Sequence, residues 1–119
     1  MKITITGNSM YPSLESGDEI TVNQTFSLQI GRIYIFQDAD KKLICHRLIG
    51  DNLFKGDNSL LSDHVESKSV IGLATHRNDR LIAYKNARAI VYLSKLNSKE
   101  HWGGIRRIAR ALLLLFRAP

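Results

Sequence analysis

About seven short segments in which apolar and polar residues alternate, each closed by a polar or glycine turn, fill the chain up to Tyr84. Residues 2–6 alternate around Ile3 and Ile5, and Glu19–Asn23, 32–37, 42–49, 53–54, 70–76 and 80–84 read as further strands. Asp38-Ala39-Asp40-Lys41 is the turn of a hairpin, and Arg77-Asn78-Asp79 is a second tight turn. Pro12 opens a single helical turn, where its missing N–H is not needed, and Gly17 ends it. Short strands with polar turns favour a small, mainly β, barrel or sandwich-like body.

Past Tyr84 the period changes. Ala87, Ile90, Val91 and Leu96 have helical spacing, Asn97-Ser98 breaks the run, and Gly103-Gly104 interrupts again before residues 105–116. There Ile105, Ile108, Leu112 and Leu115 share one face while Arg106, Arg107 and Arg110 lie elsewhere. The apolar run is too short for a bilayer, which takes about 20 residues.

Charge follows the same division. Residues 1–83 hold 9 Lys+Arg and 10 Asp+Glu, whereas residues 84–119 hold 8 Lys+Arg and the single acid Glu100. The net charge of +6 therefore belongs to the tail, the part suited to an acidic partner. One cysteine, Cys45, excludes an intrachain disulfide and reads as a small buried hydrophobe. His46, His64, His76 and His101 lack ligand-type spacing, so neither metal nor cofactor is expected. The tail offers no aromatic platform or groove-reading motif, so nucleic acid is not an expected partner.

Three clusters carry chemistry: Asn8-Ser9-Met10-Tyr11-Pro12-Ser13-Leu14 with Gly17-Asp18 after it, Ile44-Cys45-His46-Arg47-Leu48, and Lys55-Gly56-Asp57-Asn58. A serine hydroxyl needs a base within hydrogen-bond reach to become a nucleophile. Imidazole, with an ordinary pKa of about 6.5, is a neutral acceptor near pH 7. On a strand, His46 shares a face with Ile44 and Leu48 while Cys45 and Arg47 face the other way, which disfavours a Cys45–His46 dyad and favours Ser9 with His46.

These clusters resemble the signal peptidase I family, within the larger group that also contains the self-cleaving SOS repressors. The match covers about residues 5–75: a serine before Met10-Tyr11-Pro12, a Gly-Asp strand, a base before arginine, and a later Gly-Asp loop. The base is a histidine, as in the endoplasmic-reticulum and spore-former branch, rather than the lysine of most bacterial relatives. The resemblance implies a peptidase-like β domain over 1–83, leaving 84–119 as a basic amphipathic helical tail.

It also implies a serine endopeptidase acting on a peptide or precursor protein, held as an extended strand along a β edge and cut after small residues. Ser9 is then the nucleophile and His46 the base. Asp57 is the first candidate to orient His46, from its Lys-Gly-Asp-Asn context, and Asp63 the second. The oxyanion hole is expected to use the Ser9 backbone N–H. Gly7 stands where some bacterial relatives supply a hydroxyl, which leaves the Asn8 side chain as the candidate second donor. With eight residues before Ser9, no signal peptide or membrane-spanning segment is expected. That places the chain in the cytoplasm or at a membrane periphery, touching lipid through the tail if the tail does not simply pack on the body. The alternative function is a peptidase-fold module that binds peptides without cutting them.

Overall fold

Alternation decides which strands can be buried on both sides. The computed structural model describes residues 1–25 and 27–116, so residues 117–119 of the expected tail lie outside the described part. Its strands are β1 (Lys2–Thr4), β2 (Glu19–Asn23), β3 (Ile33–Gln37), β4 (Leu43–Gly50), β5 (Leu53–Lys55), β6 (Ser62–His64), β7 (Val70–Arg77) and β8 (Arg80–Leu81). They form one antiparallel sheet in the order β1-β2-β7-β3-β4-β5-β6, with β8 added to β7. Two helices follow, α1 (Ala87–Leu96) and α2 (Gly103–Leu113). The mainly β body with a helical extension is thus the architecture observed.

The central strand β3 is apolar at four successive positions because both its faces are covered. Ile33 and Ile35 enter one cluster with Ile5, Met10, Leu14, Ile20, Val22, Cys45 and Ala74. Tyr34 and Phe36 enter the other, with Leu48 and Phe54. Each such aliphatic or aromatic side chain contributes roughly 1.5–3 kcal/mol on full burial. Cys45 and Leu48 fall on opposite faces of β4, as the alternation requires.

Several elements differ from the sequence reading. β1 stops at Thr4, because the N–H of Ile5 turns to the Asp18 carbonyl at 2.9 Å. β8 ends at Leu81, and Tyr84 instead donates its hydroxyl to the Ala74 carbonyl at 2.6 Å. Asn78 and Asp79 both adopt positive φ, 50° and 67°, the conformation of a two-residue hairpin turn. β6 was not anticipated, since Ser62-Asp63-His64 has no apolar residue to mark it. Gly103 and Gly104 do not interrupt a helix; they form the first turn of α2, where Trp102 lies close over Gly104.

The two helices form a hairpin. Ile90 and Leu93 of α1 pack against Ala109 and Leu113 of α2. α1 is fastened to the sheet by polar contacts: Lys55 Nζ donates to Ser94 Oγ at 3.2 Å, and Asn97 Nδ2 to the Asp57 carbonyl at 2.9 Å. Ser94, Asn97 and Lys55 are all buried, so these bonds are made away from water.

Candidate active site

After β1, Gly7 takes φ +83°, a conformation that suits glycine, and turns the chain into the Ser9 loop. A single helical turn follows, with the Leu14 N–H donating to the Met10 carbonyl at 3.0 Å. The loop is pinned from the far side of the sheet. Asn58 donates its backbone N–H to the Ser9 carbonyl at 2.8 Å and its side-chain amide to the Asn8 carbonyl at 3.1 Å. Asn8 thus enters the site through its main chain, next to Ser9.

Gly56 permits this approach. A Cβ there would collide with the Ser9 carbonyl oxygen and lie 2.6 Å from Ser59 Oγ and 3.0 Å from His46 Nε2. Any side chain at position 56 would push apart the two segments that carry Ser9 and His46.

His46, only 9% exposed, is held between them. Its ring meets Phe36 edge-on, with centroids 6.0 Å apart. Its Nε2 lies 3.2 Å from Ser9 Oγ, and its Nδ1 lies 2.7 Å from Asp63 Oδ2. Because a carboxylate can only accept, Nδ1 carries the proton in the neutral ring and Nε2 is left to accept from the Ser9 hydroxyl. Burial pulls the His46 pKa below its ordinary 6.5, and the charge of Asp63 opposes this only in part. The ring is therefore neutral at pH 7, the form able to take a proton.

Asp63 reaches His46 through strand register. Leu48 pairs with Phe54 and Phe54 with Asp63, so the three lie in one row across β4, β5 and β6. His46 stands two residues from Leu48 on the same face, within diagonal reach of that row. The Asp63 side chain is 46% exposed, which lets water solvate its outer oxygen.

Asp57, the first-ranked partner for His46, is placed elsewhere. Its carboxylate is fully buried and accepts from Arg47 Nε at 2.9 Å, Arg47 Nη2 at 2.8 Å and Ser13 Oγ at 2.6 Å. Arg47 also donates Nη1 to the Gly31 carbonyl at 2.6 Å. Burial works against the Arg47 charge, but the Asp57 carboxylate outweighs it and holds that pKa above its ordinary value. The Gly-Asp motif therefore braces the loop, and the carboxylate in contact with His46 Nδ1 is that of Asp63. Sequence context ranks Asp57 first and Asp63 second because the Gly-Asp motif marks a turn, whereas the choice between them depends on the pairing of β5 with β6.

Lys55 is the residue that sequence reasoning left without a role. It is almost fully buried, donates to the Gly56 carbonyl at 3.0 Å as well as to Ser94, and is pushed down to about 8 by burial, with Asp57 opposing. Cys45, buried and pushed up to about 12 by loss of solvation, is a protonated thiol at neutral pH and no nucleophile.

Ser9 opens onto a cleft of about 660 Å³ lined by β1 and the first half of β4. Among the described residues β1 pairs only with β2, and β5 pairs with β4 only from Arg47 onward, so both walls present unpaired strand edges. Apolar Ile3, Ile5, Met10, Leu43, Ile44 and Cys45 share the lining about evenly with polar groups that include Thr4, Thr6, Ser9 and Lys42. Among the described residues no helix is long and apolar enough to cross a membrane.

Neither a curated protein nor a solved structure gives a match to the chain. Residues 1–80, which hold Ser9, His46, Asp57 and Asp63, match the family described as Peptidase S24-like. That match is consistent with the signal-peptidase-like group and spans the whole sheet but for the last residue of β8. The chain accordingly belongs to the Peptidase S24-like family and has a peptidase fold.

Proposed function

We propose that this protein is a serine endopeptidase in which Ser9, His46 and Asp63 form the catalytic relay. The observation that carries the reading is the continuous chain of contacts from Asp63 Oδ2 through His46 to Ser9 Oγ, opening onto a cleft with two free strand edges. A separation of 3.2 Å between Ser9 Oγ and His46 Nε2 is within the range for a site without substrate.

An extended peptide adds to the free edges by main-chain hydrogen bonds, which bring its scissile carbonyl to Ser9. Ser9 Oγ attacks the carbonyl carbon as its proton passes to His46 Nε2, and Asp63 stabilises the imidazolium. The tetrahedral oxyanion is received by the Ser9 backbone N–H, with Asn8 as the neighbouring candidate donor. Collapse expels the amine, which takes the proton from His46. Water then attacks the acyl-enzyme with His46 as base, releasing the acid and restoring Ser9. The cleft floor beside Ser9 is filled by buried Ile5 and Met10, which supports a small residue before the cleaved bond.

The test is digestion of a mixed peptide library by wild type and Ser9→Ala, read by mass spectrometry. Cuts made only by wild type are expected. On a preferred peptide, kcat/KM rises with a midpoint below about 6.5, since burial depresses the His46 pKa. A midpoint near 8 points to Lys55 as the base instead. Peptide capture without cleavage, equal in wild type and Ser9→Ala, means a binding module.

A further inference from the structure

The helical hairpin leaves one apolar face uncovered. On α2 the residues facing α1 are Ala109 and Leu113, while Ile105, Ile108 and Leu112, and Leu115 in the 3-10 turn that follows (Leu114–Phe116), recur at three- and four-residue intervals and are exposed beside them. Ile108 is 61% and Leu115 76% exposed, and Trp102, just ahead of the helix, is 63% exposed. A helix that packs by one side only has no need of a second apolar stripe. Its arginines are divided as well. Arg106 and Arg110 are engaged by the His101 carbonyl and Asn97 Oδ1, whereas Arg107 is exposed.

The neighbouring helix supplies the charge. Arg88, Tyr92, Lys95 and Lys99 recur at three- and four-residue intervals on the exposed side of α1 and just beyond it, opposite the buried Ile90, Val91, Leu93 and Ser94. Lys95 and Lys99 also border a recess of about 360 Å³ shared with Leu60 and Leu61, in the loop that leads to Asp63. Glu100 is the only acid from residue 84 onward.

We propose that this hairpin docks the protein onto an anionic bilayer surface. α2 and the turn after it lie in the headgroup plane with Ile105, Ile108, Leu112 and Leu115 in the acyl boundary, Trp102 at the interface, and the α1 cations against lipid headgroups. At 11 residues α2 is about 16 Å long, suited to lying on a bilayer and not to crossing it. The charge also argues against a second copy of the chain as the occupant, because two such faces would bring their cationic flanks together. Bilayer binding does not depend on the peptidase reading, and Ser9→Ala binds as wild type does.

The experiment is sedimentation of the full chain with vesicles of phosphatidylcholine alone or mixed with phosphatidylglycerol, alongside Trp102 fluorescence. Wild type is expected to sediment with the mixed vesicles, with a blue shift, and to be released by salt. I108D/L115D and R88E/K95E, all at exposed positions, are expected to retain the wild-type Tm and each weaken binding by at least about tenfold. Absence of binding to the mixed vesicles overturns the proposal, as does binding that neither variant weakens. Self-association without lipid that I108D/L115D abolishes also overturns it, and assigns the face to a second copy.

Discussion

Asp57, in the turn after β5, and Asp63, in β6, stand six residues apart, yet their surroundings differ in kind. Asp57 is sealed from water and locked to Arg47 and Ser13; Asp63 is half-exposed and, among the described residues, its carboxylate bonds the far nitrogen of His46. A buried ion pair contributes through what its loss would leave behind, an uncompensated charge in a low-dielectric interior. A carboxylate beside an imidazole matters for the charge that appears on the ring during reaction. On the proposed mechanism the first aspartate is tied to folding and the second to turnover, although the Gly-Asp motif draws attention to the first.

Exchanging each carboxylate for an amide separates the two roles. Asp63→Asn keeps the shape but replaces an acceptor-only carboxylate with an amide whose NH2 can donate to Nδ1 and so favour the wrong tautomer, and kcat is expected to fall by roughly 10⁴-fold, the order seen for the equivalent change in serine-protease triads. Its Tm should stay within a few degrees of wild type, because the residue is half in water. Steady-state kinetics beside a thermal melt reads both quantities. A loss of stability with activity per folded molecule preserved would reverse the assignment.

Asp57→Asn is expected to do the opposite. Arg47, 2% exposed, would keep its charge without its counterion, at a cost of about 3–5 kcal/mol measured by urea denaturation. Turnover per folded molecule should remain within about tenfold of wild type, since the Asp57 carboxylate does not contact His46. Replacing Arg47 and Asp57 together with apolar residues of similar volume should recover part of the loss, a non-additivity that marks the pair as one unit. If Asp57→Asn instead lowers kcat as far as Asp63→Asn does, the comparison collapses.

How much of this was legible in the sequence follows from which forces are local. Strand alternation around Ile33, Ile35, Cys45 and Leu48 reports burial directly, so the β body and the facing of His46 away from Cys45 and Arg47 could be read in advance. The helical period after Ala87 was equally plain. Asp63 was legible only as the second candidate partner of His46, because the choice depends on the register of β5 against β6, and Ser62-Asp63-His64 has no apolar pattern to reveal a strand. Polar fastenings were hidden for a similar reason. Nothing near Lys55, Ser94 or Asn97 in sequence says that they will meet beneath the Gly56 loop. The uncovered side of α2 was half visible: the stripe could be counted, but which side α1 would cover could not.

Lys55 gives the smallest effect and the finest test of how the loop is supported, because it bears on Gly56 without touching His46. The unfolded chain holds the Lys55 proton up to its ordinary 10.5, whereas the folded protein releases it at about 8. Between those values the unfolded state binds more protons, so this group makes stability rise with pH. Cys45 and Tyr84, both pushed up by burial, act in the other direction once the unfolded chain begins to lose their protons, near pH 9 and 10. From about pH 7 to 9 the Lys55 contribution outweighs the opposing one from Cys45, and wild type should gain a net of about 1 kcal/mol. Lys55→Met should show no such gain in urea melts across that range, while its kcat/KM keeps the same rising limb, since the limb belongs to His46. If the limb moves with the Lys55 substitution, the lysine communicates with the base, and the support of Gly56 is part of the chemistry as well as of the fold.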